Sequence, residues 1–141
     1  MANTAGMGAT AKQAALAAVV NGVALKAALY LSSATTGPTN TAYTATGELA
    51  ATGGYSAGGV SVTNANSAGL TSTTTFWTPS ATISFGTITS SGTFNAAMIY
   101  DTGQSNRNLG VFTFGDQTVT AGAFSLTMPT NDSSTGLLRI N

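Results

Sequence analysis

The second half of this chain is a series of short apolar segments separated by turn residues, and this spacing limits the folds that are open to it. Each segment is rich in Thr, Val, Ile or Phe and is bounded by Gly, Asn or Ser. Short segments at such spacing are typical of antiparallel sandwiches and barrels. The segments begin at Val60, Ser72, Ala81, Phe94, Leu109, Ala123 and Leu137.

An earlier segment, residues 23–31, adds one more predicted strand. Leu25 and Leu29 alternate with Lys26 and Tyr30. This two-residue period is typical of a strand with one buried face, and it predicts that Lys26 marks the exposed face. With this segment the count reaches about eight strands, the number found in a jelly roll. The sequence therefore predicts an all-β fold, an antiparallel β-sandwich of the jelly-roll kind.

Ahead of the strands, an alanine-rich segment predicts a short α-helix over residues 10–21. Thr10 and Gln13 have the spacing of a capping box, in which each side chain bonds a backbone N–H at the helix start. Asn21 and Gly22 form a typical helix stop, because glycine readily adopts the left-handed conformation that follows a helix. The helix is thus expected to end just before the first strand.

The helix has a narrow apolar stripe that includes Leu16 and Val19. Because the other positions are mostly alanine, this stripe can pack closely on the chain's own sheet or on another subunit. We expect two parts in the chain, an N-terminal arm with the helix at residues 1–22 and a β-sandwich domain at residues 23–141.

Charged residues are scarce in this chain. Four Lys and Arg balance four Asp and Glu, and together they make up 6% of the sequence, against about 25% in an average soluble domain. A surface with so little charge consists of Thr, Ser, Asn and Gly or is covered by other protein copies, since a neutral surface protects poorly against association. Without a basic patch, no nucleic-acid binding is expected.

Several kinds of functional residue are missing from the sequence. There are no Cys and no His, which removes disulfides, thiol nucleophiles, the usual zinc ligands and the commonest general base. The alanine-rich start has no basic region before it and no run near the roughly 20 apolar residues of a membrane span. We expect no metal, no cofactor and no membrane segment, and synthesis in the cytoplasm.

Three charged residues lie close together in the sequence between Phe94 and Asp116. Asp101 and Arg107 flank the polar stretch "TGQSN" between two predicted strands, a composition typical of turns. This predicts an exposed ion pair near the tip of a hairpin, worth about 0–1 kcal/mol. The alternative is a pair of glycosidase carboxylates, Asp101 and Asp116, at one end of the sheet. The turn signals favour the hairpin, and no catalytic residue is predicted.

Residues 32–59 are predicted to form a long loop or a pair of short ribbons. Loops of more than about 15 residues in compact domains are usually functional or interfacial. Glu48 is the only charged residue of this segment, and Tyr43 and Tyr55 are its only aromatic residues. Its glycine-rich part, "TGGYSAGG", matches neither a phosphate-binding loop nor a dinucleotide-binding turn. This glycine-rich part is therefore predicted to be a flexible connection.

Trp77 is the single tryptophan of the chain. Aromatic faces bind sugars and bases, but tryptophan is also the commonest energetic centre of protein interfaces. Since no basic residue accompanies it, burial in the core or in an interface is favoured over a ligand platform. The candidate interface residues are Leu16, Val19, Tyr43, Tyr55 and Trp77.

Several separated motifs of this chain resemble those of small virion structural proteins of tailed bacteriophages, a family of head decoration or cement-like β-sandwich proteins. The motifs run in order over residues 23–141, and the N-terminal helix lies outside them. They are "ALY" in the first strand, "AYTATGE" and "GGYSAGG" in the loop, "IYDTGQSNR" and "FGD" around the hairpin, and "LLRI" near the end. The resemblance implies a β-sandwich virion component without enzymatic activity.

From this resemblance we expect a capsid decoration or cement protein in the virion. It would stabilise the head through symmetric contacts with capsid proteins and with its own copies, a trimer being favoured, and the helix or the 32–59 loop would make the contact. The alternative is a tail, baseplate or fibre module. Such a module would bind a host-surface glycan, through Trp77 or through Tyr43 and Tyr55, or another virion protein.

Overall fold

A computed structural model describes residues 2–141, except for the side chain of Ala51. In this part of the chain one helix precedes ten strands, and all paired strands are antiparallel. The prediction of a mostly β chain with one short helix and antiparallel sheets is confirmed. The elements are α1 (Ala9–Val20), β1 (Leu25–Leu31), β2 (Ala51–Gly53), β3 (Val60–Val62), β4 (Gly69–Thr71), β5 (Thr74–Trp77), β6 (Ile83–Ser90), β7 (Phe94–Asp101), β8 (Arg107–Gln117), β9 (Gly122–Leu126) and β10 (Leu138–Ile140).

Two of these strands, β2 and β4, were not predicted as separate strands. β4 has no counterpart in the prediction, and β2 lies in the segment predicted to be a long loop or a pair of short ribbons. Each has three residues and contains a glycine, a residue that is depleted in strands. They are extended because they pair with longer neighbours, β2 with β6 and β4 with β5. Pairing between segments therefore decides their conformation where local propensity does not.

The chain divides into two compact units, each built from separated segments. The first unit contains α1 and a sheet with the order β10-β5-β4, and the second contains sheets with the orders β3-β1-β7-β8 and β2-β6-β9. The predicted division at residue 22, by contrast, follows sequence order. The first unit comprises Met1–Gly22, Asn64–Ser80 and Met128–Asn141, and the second comprises Val23–Thr63 and Ala81–Thr127.

The start of α1 differs from the prediction. Gly8 is the N-cap residue and no side chain caps the helix, so that the predicted capping box is wrong. Thr10 lies inside the first turn instead of before it. Gln13 donates a hydrogen bond from Nε2 to the carbonyl oxygen of Ala68 at 3.0 Å. Its side chain therefore bonds a partner outside the helix instead of the helix start. The helix start is thus fixed by contacts within the unit.

The end of α1 follows the prediction. Asn21 is the C-cap residue, and Gly22 has a φ of +65°, a conformation that glycine adopts without strain. The Asn21 side chain accepts a hydrogen bond through Oδ1 from the backbone N–H of Ala68 at 2.8 Å. The residue that ends the helix therefore also joins it to the segment that enters β4.

Trp77 of β5 lies in the core of the first unit and has no exposed surface. Its indole N–H donates to Asn64 Oδ1 at 3.1 Å and to the Asn66 carbonyl oxygen at 3.3 Å, so that its one polar group is satisfied while the ring is buried. Leu16 and Val20 of α1 are also buried. The helix packs its few large side chains toward β4 and β5.

Strand β1 is buried on both faces, so the predicted exposed face is wrong apart from the half-buried Lys26. Ala28 and Tyr30 lie on the face that was expected to be exposed, yet neither has any exposed surface. Ala34 and Tyr43, from the loop that follows β1, pack against them. The long loop therefore covers a face that the alternation pattern alone assigns to solvent.

A second group of packed side chains in the second unit is aromatic and consists mainly of phenylalanines. Phe94 of β7 meets Phe124 of β9 edge to face, with ring centroids 4.9 Å apart. Phe85 of β6 lies 5.7 Å from Phe124, and Tyr55 lies 6.0 Å from Phe85. Aromatic pairs at such distances stabilise a core beyond the area that they bury. These contacts join the sheet of β2, β6 and β9 to β7 of the other sheet.

Candidate functional site

The four tyrosines of the chain gather around its only glutamate, and this group is the candidate functional site. Tyr43 donates a hydrogen bond to Glu48 Oε2 at 2.5 Å, and Tyr55 donates one to Oε1 at 2.6 Å. The backbone N–H of Gly58 donates to the same Oε1 at 2.8 Å. The carboxylate thus accepts three hydrogen bonds within one loop. We call the five side chains the Glu48 cluster: Tyr30, Tyr43, Glu48, Tyr55 and Tyr100.

The other two tyrosines hold the backbone around this carboxylate. The Tyr30 hydroxyl donates to the carbonyl oxygen of Thr44 at 2.6 Å, and the Tyr100 hydroxyl donates to that of Gly58 at 2.5 Å. The ring of Tyr100 also stacks on Tyr43, with centroids 4.8 Å apart and planes 24° from parallel. The cluster therefore attaches the loop after β1 to side chains from two neighbouring strands, β1 and β7.

The same loop completes the edge of β1. Strand β3 pairs with β1 only at Leu25–Ala27. Beyond that point, the N–H of Leu49 donates to the carbonyl of Leu29 at 2.8 Å, and the N–H of Leu29 donates to the Tyr55 hydroxyl at 2.9 Å. Buried backbone groups need such partners. Glu48 therefore lies where a loop segment and a tyrosine replace a paired strand.

Burial raises the pKa values of all four tyrosines. It raises the pKa of Tyr30 to about 12. The pKa values of Tyr43 and Tyr55 are raised by burial first and then by their hydrogen bonds to Glu48, and that of Tyr100 by burial and then by the charge of Glu48. A phenol with a raised pKa keeps its proton, so the cluster acts as a set of hydrogen-bond donors around one carboxylate.

Alkaline pH is expected to destabilise the second unit, because its tyrosines ionise at a higher pH in the folded state than in the unfolded state. Burial raises the pKa of Tyr30 to about 12 in the folded state. In the unfolded state this tyrosine ionises at a lower pH, at the usual pKa of about 10. The free energy of unfolding should therefore be fully retained below about pH 10 and fall as the pH rises further. Urea unfolding at several pH values, with tyrosinate absorbance, measures this.

The urea-unfolded chain is the control for this titration and should form tyrosinate near pH 10, the value for exposed tyrosine. Tyrosinate that forms near that pH while the chain remains folded would contradict the burial of the cluster.

Asp101, the acidic residue of the hairpin ion pair, is buried, so the prediction of an exposed pair is wrong. Asp101 is 1% exposed and its Oδ2 lies 3.3 Å from Arg107 Nη2. Its Oδ1 accepts a hydrogen bond from the N–H of Gly103 at 2.9 Å. The predicted turn is confirmed between β7 and β8, with positive φ at Ser105 and Asn106. Asp101 therefore fixes the start of the turn from inside the unit.

Asp101 and Asp116 lie at opposite ends of the β7-β8 hairpin, so the alternative that they share one end is wrong. Asp101 pairs with Arg107 beside the turn, whereas Gln117, next to Asp116, pairs with Phe94 at the far end of the hairpin. Antiparallel strands place the ends of consecutive strands apart in this way. These two carboxylates do not form a glycosidase pair.

Every carboxylate side chain accepts hydrogen bonds from the chain itself. The Glu48 and Asp101 contacts are described above, and Asp116 accepts one from Asn95 Nδ2 at 2.9 Å. Hydrogen bonds from the N–H groups of Thr135 and Ser134 lower the pKa of Asp132. Among residues 2–141, no group of three or more His, Cys, Asp and Glu side chains is placed to hold a metal ion.

The five predicted interface residues differ in their access to the surface. Leu16, Tyr55 and Trp77 are buried inside the chain, so their side chains are not available at its surface, and Trp77 offers no face to a sugar. Val19 and Tyr43 are half-buried and stay candidate interface residues.

Sequence reasoning missed the roles of Glu48, Tyr30 and Tyr100. One signal was available for the first of them, because Glu48 is the only charge in a long loop that also contains two tyrosines. No local pattern relates Tyr100 to that loop, since the pairing of β1 with β7 brings this distant residue beside the loop.

Comparison with protein-family models, with curated proteins and with solved structures finds no match for this chain. The resemblance to phage virion proteins therefore depends on the sequence motifs alone. Within residues 2–141, no helix has the length and apolar character that crossing a membrane requires.

Proposed function

We propose that this chain is a structural protein of a tailed-bacteriophage virion, in which it acts as a capsid decoration or cement protein without enzymatic activity. The proposal includes a sandwich arrangement for the two sheets of the second unit, and the phenylalanine contacts from β7 to β9 support that arrangement. Copies of the chain bind the outside of the head and one another, and thereby hold neighbouring capsid proteins together.

The observation that carries the proposal is the position of the motif residues in the fold. Tyr43 and Glu48 belong to "AYTATGE", Tyr55 and Gly58 to "GGYSAGG", and Tyr100 to "IYDTGQSNR". These residues, distant in sequence, are joined by the hydrogen bonds of the Glu48 cluster. Motifs that are distant in sequence and meet in the fold support the proposal, because a resemblance between structural proteins should rest on the residues that build the fold.

Hydrogen bonds also link the loop to the hairpin. The N–H of Tyr43 donates to the carbonyl of Asn106 at 2.8 Å, and the N–H of Asn108 donates to that of Thr41 at 3.0 Å. The side chain of Asn108 reaches the carbonyl of Asn40 at 2.8 Å. The loop is thus held by the hairpin at residues 40–43 and by the Glu48 cluster further along, a property that suits a loop used as a fixed contact surface.

The distribution of charge supports a structural role. The carboxylates are occupied with hydrogen bonds that organise turns and loops, as described above. With charged residues at 6% of the sequence, association buries few charges that need compensation, so the desolvation cost of covering this surface with other protein copies is low.

Purified chain should bind emptied capsids that lack it and should raise the temperature at which they disassemble, because a ligand that binds only the assembled shell stabilises it. Cosedimentation measures the binding, and calorimetry measures the stabilisation. Ala15→Lys, at an exposed position of α1, tests whether the helix makes the contact. Thr41→Lys, at an exposed position of the loop, tests whether the loop makes it. Lysine at Thr87, exposed on β6, is the matched control.

Binding that does not exceed background would overturn the cement function. Labelled antibody on intact virions gives an independent result, since decoration of the head supports the proposal. A label confined to the tail or its fibres would replace the proposal with the alternative role.

A further inference from the structure

Strand β8 is the longest edge strand of the three sheets, and most of its outer edge has no partner. It contains 11 residues, whereas the other edge strands contain three to five. The loop at Ala42 bridges only to its first residue, Arg107, and Thr41 bonds the next. For residues 109–117, the described part of the chain supplies no backbone hydrogen bond on that side.

We propose that β8 pairs antiparallel with β8 of a second copy of this chain, about a twofold axis, so that two four-stranded sheets become continuous. An open strand edge is a template for pairing with another chain, and proteins usually guard it with Lys, Pro or a covering segment. Residues 108–115 contain no charged residue and no proline. This inference rests on the edge itself and does not depend on the virion role.

The charges at the two ends of β8 select an antiparallel partner. Arg107 begins the strand and Asp116 lies beside its last residue. In an antiparallel pair the end of one strand lies near the start of the free edge of the other, next to the residues that the loop covers. Asp116 of the partner subunit then approaches the end of the strand that contains Arg107. A parallel pair would place like charges together, which is unfavourable.

Both side chains have hydrogen-bonding capacity for this contact. Arg107 uses Nη2 for Asp101, and its side chain is 41% exposed, so the guanidinium has further N–H groups for a second partner. Asp116 accepts a hydrogen bond from Asn95 through Oδ1, which leaves Oδ2 as an acceptor. A guanidinium and a carboxylate are well matched for such pairing.

The pairing is expected to centre near Thr113, the middle of residues 109–117, because Thr41 and Ala42 of the loop already occupy the edge at Asn108 and Arg107. Thr113 ends the stretch Gly110–Thr113, whose four residues pair in register with β7. In a regular antiparallel strand alternate residues direct their N–H and C=O groups away from the existing neighbour, so this stretch presents ordered groups to a second copy. Val111 and Phe112 are only half-buried, and pairing would cover more of them.

Analytical ultracentrifugation of the wild type should show a dimer. Thr113→Lys should weaken dimerisation about tenfold or more, because a lysine at the centre of an edge strand opposes pairing. Thr113 and Thr87 are both exposed, but Thr87 lies on β6 between β2 and β9, so Thr87→Lys should leave dimerisation unchanged. Asp116→Lys should also weaken it, since two cations would then meet at each end.

A cysteine series gives a test that does not depend on the stability of the lysine variants. The chain has no cysteine, so Val111, Phe112 and Thr113 can each be replaced by Cys alone. Under mild oxidation, the position nearest the twofold axis should form a disulfide dimer, which requires Cα atoms about 4.4–6.8 Å apart. Thr87→Cys is the control and should remain uncrosslinked.

Two results would overturn the proposal. One is a chain that stays monomeric at all concentrations, without crosslinking at any β8 position. The other is a trimer unaffected by Thr113→Lys, because a twofold axis requires an even number of subunits, and a trimer would instead agree with the expectation drawn from the resemblance.

Discussion

Glu48→Ala is expected to destabilise the second unit by about 3–5 kcal/mol, since hydrogen bonds to a charged group contribute about 1.5–3 kcal/mol each and share one carboxylate here. The substitution removes the acceptor of the hydroxyls of Tyr43 and Tyr55 and of the N–H of Gly58. Tyr55 is 3% exposed, so water does not readily replace the lost partner. The loop that covers β1 should then detach early in unfolding.

Urea unfolding measures this effect separately in each unit. All four tyrosines belong to the second unit and Trp77 to the first, so tyrosine absorbance and tryptophan fluorescence report on different parts of the chain. The substitution should shift the tyrosine transition more than the tryptophan transition. Equal shifts would indicate that the two units unfold together, with the loss of stability still visible in both signals.

Two control variants separate the geometry of the carboxylate from its charge. Glu48→Gln keeps one oxygen that can accept from Tyr55 and Gly58, and it should cost about 1 kcal/mol. Asp116→Asn removes an exposed carboxylate with a single side-chain partner and, at concentrations where the chain is monomeric, should change stability by about 0.5 kcal/mol or less. A Glu48→Ala variant as stable as Asp116→Asn would show that the cluster does not hold the loop.

The strands and the hairpin turn were predictable from the sequence because their signals are local. Apolar segments bounded by turn residues mark β6, β7 and β8, and the stretch after Asp101 marks the turn. The burial of Asp101 was not predictable, since it depends on the neighbouring β1 and its flanks. Thr102, for example, donates from its backbone N–H to the carbonyl of Ala24 at 3.0 Å, which draws the turn against the start of that strand.

The candidate site was only partly predictable. The length of the 32–59 loop indicated an important segment, and Glu48 was identified as its only charge. The sequence does not predict that the second face of β1 is buried. On that face Tyr30 takes part in the core instead of facing solvent. An alternation pattern describes one strand, whereas the cover on its other face comes from a loop that is held by Tyr100 of a different strand.

Gly59→Ala is expected to destabilise the second unit by about 4 kcal/mol or to prevent it from folding, because an added Cβ has no space and the backbone conformation is unfavourable. Gly59 has a φ of +78°, and a Cβ at this position would lie 1.9 Å from the carbonyl oxygen of Ala27 and 2.5 Å from its carbonyl carbon. Both atoms belong to the backbone of β1, which cannot rotate away as a flexible side chain would.

Relief of this clash requires β3 to move away from β1. Val60 is the pairing partner of Ala27, so the displacement acts directly on the ladder. It also moves Gly58, whose N–H and carbonyl bond Glu48 and Tyr100. The loss of stability should therefore include part of the Glu48 cluster, and the tyrosine transition in urea should shift at least as far as it does in Glu48→Ala.

Gly58→Ala is the matched control for this substitution. Gly58 has a φ of +89°, but the nearest atom to an added Cβ is the Tyr100 hydroxyl at 3.5 Å, an ordinary contact. This variant should lose only the backbone cost of a left-handed residue, about 1–2 kcal/mol. The difference between the two neighbouring glycines thus isolates the close approach of β3 to β1. Equal losses in the two variants would contradict that approach, and with it the position of the loop that holds Glu48.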